Sequence, residues 1–377
     1  MHITIISPTF FPIRGGTEQT IYEWVKRLKK NHKISILTLN YPKAPRRELF
    51  EESIDIYRIP PWETRIIGHI IRAMLIVITL MEINRKEPID VLHMGHVFRM
   101  GLGVAIFRKL SKIPYIISLL GCDTYDPIVP IAPCYYPYMG YVMTHADQVI
   151  TMTHHMKKSA EEQGCRKSIT LIPHGSTMRD KKGVISLREK HQIGAEKRIV
   201  VSIQRLAARK GMHYLIQAIP AVIDKMDDVH FIIGGTGEEE QMLHEKAREL
   251  EVDQYITWTG FIPDEELPSY YEQADLFALP TLYEGFGIVY VDALSKGVPI
   301  VTTAQGGALD IITDEVGILV PLADSQAMGD AIIDALGKEW SKETIIEYAK
   351  KYNWDPIVEQ YETIYRTVIK PKKMKRI

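Results

Sequence analysis

Residues 177–203 read TMRDKKGVISLREKHQIGAEKRIVVSI, and the fold turns on this stretch. Up to Lys197 it is polar and rich in charge, with Arg179, Asp180, Lys181, Lys182 and Gly183 close together, the composition of a linker. At Arg198 a β-rich apolar run begins. Upstream, similar short runs at 2–7, 34–39, 91–93, 115–120, 148–151 and 169–172 alternate with helix-period segments, such as Ile21, Trp24, Val25 and Leu28 at i, i+3, i+4, i+7. Downstream, runs at 198–203, 230–233, 256–259, 276–279 and 299–303 alternate with helices near 214–225, 239–250, 265–273 and 288–295. This is the rhythm of a parallel sheet covered on both faces, and the chain plays it twice. The expected fold is α/β, two doubly wound domains facing across a cleft. The expected division is 1–177, a linker at 178–197, 198–352, and a closing segment 353–377. The helix of that last segment, at 355–369, packs back on the first domain and precedes the basic tail Lys370, Lys372, Lys373, Lys375 and Arg376. Ligands of such sheets bind at the carboxyl ends of the strands.

A length of 377 residues exceeds what one core normally organises, and 46% hydrophobic with 25% charged residues is ordinary globular composition, which excludes a disordered, collagenous or multispanning chain. Three cysteines, Cys122, Cys134 and Cys165, lack a CxxC or Cys/His spacing, so neither a disulfide scaffold nor a structural zinc is expected. No secretory leader pattern precedes the first strand, and the expected compartment is the cytoplasm. Charge is uneven: residues 1–180 hold 23 basic against 16 acidic residues, and residues 181–377 hold 23 against 31. The basic half suits an anionic acceptor or an acidic lipid surface, and no nucleic-acid partner is expected. The cluster Lys26, Arg27, Lys29 and Lys30 and the apolar segment 66–81, broken by His69 and Arg72, add to the expectation of peripheral contact with the inner face of the cell membrane. That segment is too short and interrupted to span a bilayer; it reads as a core-facing or interface-lying helix.

The chemistry lies in loops at strand ends. Gly15-Gly16-Thr17-Glu18 opens the first helix, where glycines admit close backbone approach and the helix terminus offers N–H groups to an anion, although a plain βα turn looks the same. This is not GxGxxG, and Asn40 rather than an acidic residue follows the 34–39 strand, which argues against a dehydrogenase. The strand at 198–203 leads into Gln204-Arg205-Leu206-Ala207-Ala208-Arg209-Lys210-Gly211, whose cations suit a diphosphate, Arg as a bidentate fork and Lys as a point charge. The densest signal is Pro280-Thr281-Leu282-Tyr283-Glu284-Gly285-Phe286-Gly287, followed by a helix carrying Asp292. Turn and helix terminus form an anion seat, and a carboxylate beside phosphate is suited to accepting from neutral hydroxyls of a sugar or ribose. Together these groups describe a nucleotide sugar. Of two further glycine turns, Gln305-Gly306-Gly307 reads as part of the site and Gly234-Gly235-Thr236-Gly237 as structural.

The Glu284 turn with an acidic residue eight positions on, Arg205 and Lys210, the Gly15 loop and Ile172-Pro173-His174-Gly175 stand in the order and spacing of family 4 glycosyltransferases. The resemblance runs from about Met1 to Tyr365. It implies the GT-B fold, a pair of Rossmann-like domains, and transfer with retention from a nucleotide-diphosphate sugar to a hydroxyl of a sugar, a lipid-linked or another acceptor. No cofactor and no DxD-bound metal are implied. By resemblance Arg205 and Lys210 grip the donor pyrophosphate, Glu284 accepts from a donor-sugar hydroxyl, Gly285, Phe286 and Gly287 approach the sugar and phosphate, and Asp292 binds the ribose; the Gly306 and Gly307 turn is expected beside them in the donor site. Gly15, Gly16, Glu18 and Asp123 fall on the acceptor or phosphate loops. Asp292 stands where the family usually has Glu, Leu120 where many members have His, and His174 where Asn is usual. His93 and His96, near the third strand's end, read as structural. Competing chemistries on the same fold are a nucleotide-sugar epimerase, a sugar phosphorylase, which would need a longer chain and an anchored pyridoxal phosphate, and a non-catalytic sugar-nucleotide-binding subunit.

Overall fold

A computed structural model describes residues 1–13, 15–41, 44–61, 65–121, 131–178 and 185–369. The chain forms two compact units, Met1–His174 together with Trp354–Ile377, and Gly175–Asn353.

In the first unit the strands are β1 (His2–Ile6), β2 (Lys33–Leu39), β3 (Arg47–Phe50), β4 (Ile54–Ile59), β5 (Val91–Met94), β6 (Tyr115–Leu119), β7 (Gln148–Thr151) and β8 (Ile169–Leu171). The helices are α1 (Gly16–Leu28), α2 (Arg65–Lys86), α3 (Val97–Ser111), α4 (Tyr136–Thr144) and α5 (His154–Glu162). The sheet order is β3-β4-β2-β1-β5-β6-β7-β8, parallel throughout except for β3, which runs antiparallel to β4 at one edge. Strands β1, β5 and β6 are buried along their whole length, which is why they read as continuous apolar runs. Their side chains alternate: Ile3, Ile5, Val91 and Ile116 join one core with Ile21 and Trp24 of α1, while Ile6, Leu92 and Ile117 join another with residues of α2, α3 and α4. On α2 the segment expected to face the core or an interface has one buried and one exposed row. Ala73, Ile76, Leu80 and Ile83 are buried, and Ile70, Met74, Ile78 and Met81 are exposed.

The second unit contains α6 (Leu187–His191), β9 (Arg198–Ile203), α7 (Met212–Lys225), β10 (Val229–Gly234), α8 (Glu240–Glu249), β11 (Ile256–Gly260), α9 (Leu267–Glu272), β12 (Leu276–Leu279), α10 (Ile288–Ser295), β13 (Ile300–Thr303), α11 (Ala308–Ile311), β14 (Gly317–Val320), α12 (Ser325–Gly337) and α13 (Lys342–Ala349). Its sheet is wholly parallel, ordered β11-β10-β9-β12-β13-β14. The stretch 178–197, which reads as a linker, lies where described in this unit. Leu187 is buried, its N–H donates to Gln273 Oε1 at 3.0 Å, and Ile185 N–H donates to Ser269 Oγ at 3.2 Å, so apolar residues inside a charged stretch have found cover. By contacts the units part at 174/175, and Ser176 N–H donates to Tyr352 O at 2.8 Å within the second unit.

The last helix, α14 (Trp354–Val368), belongs to the first unit. Trp354, Ile357, Tyr361 and Tyr365 share the core of α1, and Arg27 Nε donates to Asp355 Oδ1 at 2.7 Å. The basic tail expected beyond it lies outside the described residues.

Candidate active site

From β9 the second sheet winds outward through β10 to β11, and from β12 it winds the other way through β13 to β14. The winding reverses between β9 and β12, the position where doubly wound sheets bind ligands. The loops leaving these two strands are tied together: the Arg209 carbonyl accepts from Leu282 N–H at 2.8 Å and from Thr281 Oγ1 at 3.1 Å. Gly211, at φ +60, starts α7, and a Cβ there would meet the Pro280 carbonyl. The loop after β13 closes on the same turn. Gly307 N–H donates to the Glu284 carbonyl at 3.1 Å, Gly306 has φ +52, and side chains at 306 or 307 would meet the carbonyls of Glu284 or Phe286.

Inside this interlock Lys210 Nζ donates to Glu284 Oε2, with the two side chains 11% and 18% exposed. Lysine is seldom so buried without a partner. A cation and a carboxylate from opposite sides of the switch point thus meet beside Gly285, Phe286 and Gly287, the last of which caps α10 at φ +96. The structure therefore brings together Lys210, Glu284, Gly285, Phe286, Gly287, Gly306 and Gly307.

Arg205 stands apart from this pair, 71% exposed, its guanidinium 3.2 Å from Glu238. Glu238 ends the glycine loop that reads from sequence as structural. That loop packs on the Arg205 segment, since a Cβ at Gly235 would meet the Gln204 carbonyl and one at Gly237 the Leu206 carbonyl. The acidic residue directly after the glycines, Glu238, is the sequence signal for this contact.

Asp292 is 3% exposed on α10. Its Oδ1 accepts from Ser176 Oγ at 2.8 Å and Thr177 N–H at 2.6 Å, and its Oδ2 from Thr177 Oγ1 at 2.8 Å. Burial pushes its carboxyl up to about 6, and the bonds from Thr177 and Ser176 oppose that shift. Three of its roughly four acceptor positions are filled by Ser176 and Thr177, and the Met178 backbone acts on it as well, so its partners come from its own unit. Spacing along a helix shows a carboxylate's face but not what lies opposite it, so the Ser176–Thr177 clamp left no trace in the sequence.

In the first unit Gly15 is extended at φ −164 and precedes α1, and a Cβ on it would lie 2.6 Å from Glu18 Oε2. Glycine there leaves room for the buried Glu18 carboxylate beside the helix's positive end, an arrangement the macrodipole favours. Gly16 O accepts from Thr20 Oγ1 at 2.7 Å, and His174 Nε2 lies 2.6 Å from that hydroxyl. His93 is wholly buried between Tyr365 Oη at 2.6 Å and Ser118 Oγ at 2.8 Å, stacked on Trp24, and burial lowers its pKa to about 3. It is a core residue. His96 is half-buried before α3. Leu120 packs against the α1 core, and Asp123 lies outside the described residues.

Residues 14–176 match the family described as Glycosyltransferase Family 4, and residues 184–352 the one described as Glycosyl transferases group 1. An uncharacterized glycosyltransferase of Methanocaldococcus jannaschii is 25% identical over 378 residues, covering 90% of each chain. The GDP-mannose-dependent alpha-(1-6)-phosphatidylinositol monomannoside mannosyltransferase of Mycolicibacterium smegmatis is 27% identical over 349 residues, covering 88% of each. Among solved structures, Anabaena Alr3699/HepE in complex with UDP superposes with a TM-score of 0.79 at 20% identity, over 97% of this chain and 100% of that one. Two matched family halves in order, two parallel α/β sheets and relatives along the full length agree: the chain belongs to the family 4 glycosyltransferases, enzymes of GT-B fold that use nucleotide sugars.

Proposed function

We infer that the donor diphosphate is bound at the β9–β12 switch point by Lys210 and Arg205, with Glu284 accepting from hydroxyls of the transferred sugar and the Gly285–Gly287 and Gly306–Gly307 backbone lying against it. The observation that carries this reading is the buried Lys210–Glu284 pair. A cation held in place by a carboxylate is preorganised for the negative charge that builds on a departing nucleoside diphosphate, and no rearrangement is needed when that charge appears. Arg205, exposed and paired with the also exposed Glu238, can swing from that surface bond to a phosphate. Transfer goes to an acceptor hydroxyl with retention of anomeric configuration and without a divalent metal, in keeping with the family. A phosphatidylinositol mannoside named for the mycobacterial relative supports a sugar or glycolipid hydroxyl as acceptor. The protein works at or near the inner face of the cell membrane.

The test is kinetic and stereochemical. Lys210→Ala and Arg205→Ala each remove a charge-assisted contact of about 1.5 to 3 kcal/mol, so kcat/KM falls at least tenfold with the fold intact. NMR of the product shows the donor's own anomeric configuration. Near-wild-type turnover of Arg205→Ala, or an inverted product, sinks the reading.

A further inference from the structure

The two faces of the first unit's sheet differ in how their charge and apolar surface are used. On α1, Arg27 bonds both Glu23 and Asp355, and Lys29 bonds Glu51 at 2.7 Å, so the basic cluster conspicuous in the sequence is largely matched internally. Across the sheet, α2 turns an apolar stripe to solvent. Ile70, Met74, Ile78 and Met81 are 51, 58, 54 and 46% exposed, and their spacing of four, four and three places them in one row about 16 Å long. The neighbouring α3 adds Ile106 and Leu110, 39 and 61% exposed. Between the helices lies a hollow of about 210 Å³ walled by Ala73, Ile76, Leu102, Tyr135 and Tyr138, with His69 and Arg99 also in its lining.

Charge on this face is mainly positive, although Glu82 on α2 pairs with Lys86 at 2.8 Å. Helix α3 contains no acidic residue and presents exposed Arg99, Lys109 and, just past its end, Lys112; α2 ends in exposed Arg85 and Lys86 with Glu82 its only acid. We propose that the α2–α3 face docks on an acidic phospholipid bilayer. The apolar row enters the boundary between headgroups and acyl chains, the hollow takes the end of a lipid chain, and the cations at the helix ends meet lipid phosphates. Among the described residues no helix is long and apolar enough to cross a membrane, so the contact is peripheral. A second copy seated on the same face would set these cations against their own kind, which like-charge repulsion opposes. Contiguous exposed rows of this kind are uncommon on free monomers and mark contact surfaces.

The inference concerns the first unit alone and is tested apart from the donor chemistry. Wild-type protein is sedimented with vesicles of phosphatidylcholine alone and of phosphatidylcholine mixed with phosphatidylglycerol, at low and high salt. Expected is pelleting with the acidic vesicles at low salt and release at high salt, since the basic contribution is screened. The double variant Met74→Glu/Ile78→Glu stays in the supernatant, Lys109→Gln loses about fivefold in partition, and Met242→Glu, on an exposed apolar residue of the second unit, pellets like wild type. Because the altered residues are exposed, thermal unfolding and the stabilisation by added UDP or GDP stay at wild-type values in all three. Wild-type protein left in the supernatant at low salt overturns the proposal, as does pelleting of the double variant. Dimerisation in sedimentation velocity that Ile78→Glu abolishes also overturns it, because a second copy then covers the face. A failure here leaves nucleotide binding untouched, so it is distinguishable from failure of the transferase assignment.

Discussion

At Asp292 one carboxylate carries a measurable stability signature. Its folded pKa, about 6, lies above the ordinary carboxylate value, so the folded state holds the proton more tightly. The stabilisation is then full below about pH 4 and is lost as pH rises through about 6, a change of about 2 to 3 kcal/mol. Asp292→Asn keeps an oxygen for Ser176 and Thr177 N–H and lets the Thr177 hydroxyl turn to accept from the amide. The substitution should flatten the loss of stability between pH 5 and 7.5 in denaturant titrations; equal slopes in variant and wild type would show that the buried carboxylate does not titrate there. The same geometry explains which parts of the site were legible. Lys210 and Glu284 are recognisable because chemistry and spacing coincide, whereas the partners of Asp292 come from 115 and 116 residues away and have no local pattern.

Among the elements, the central strands were read nearly to the residue, because burial on both faces makes them unbroken apolar runs: 148–151, 198–203 and 276–279 coincide with β7, β9 and β12. Strands β3, β4 and β14 have no counterpart among the runs read from the sequence, whereas the edge strands β8 and β11 do. β3 is exposed or half-buried along its length and pairs only with β4, so RELF carries no apolar alternation strong enough to register, and β14 is a four-residue edge strand. Turns also separate function from folding. Gly306, at φ +52, sits against the Glu284 carbonyl, whereas Gly260, at φ +61, has nothing within 4 Å of a built Cβ. Alanine at either position pays about 1 kcal/mol for the left-handed conformation. Gly306→Ala also displaces the Glu284 turn, so its kcat/KM should fall at least tenfold while Gly260→Ala keeps wild-type turnover at similarly reduced stability. Equal activities would separate the 306–307 turn from the site.

For the whole molecule, the proposed mechanism asks Lys210, Arg205 and the α10 terminus to supply the positive charge that a metal gives elsewhere. An excess of EDTA should leave the rate within about twofold, well under the tenfold that about 1.4 kcal/mol represents; abolition with rescue by Mg²⁺ or Mn²⁺ would put a metal in the mechanism. The base preference is read by thermal shift, the matching nucleoside diphosphate at about 100 times its Kd adding roughly 2.7 kcal/mol. The division of the chain has a further consequence for its synthesis. The second unit is one uninterrupted stretch, 175–353, while the first is assembled from both ends. At about 5 to 20 residues per second, roughly ten to forty seconds pass on the ribosome between His174 and Trp354. Throughout that interval Trp24 and His93 wait without Tyr361 and Tyr365, which cover them in the finished fold. The unit begun second is therefore the first whose chain is complete, and a protein fused after α14 hangs from the amino-terminal core.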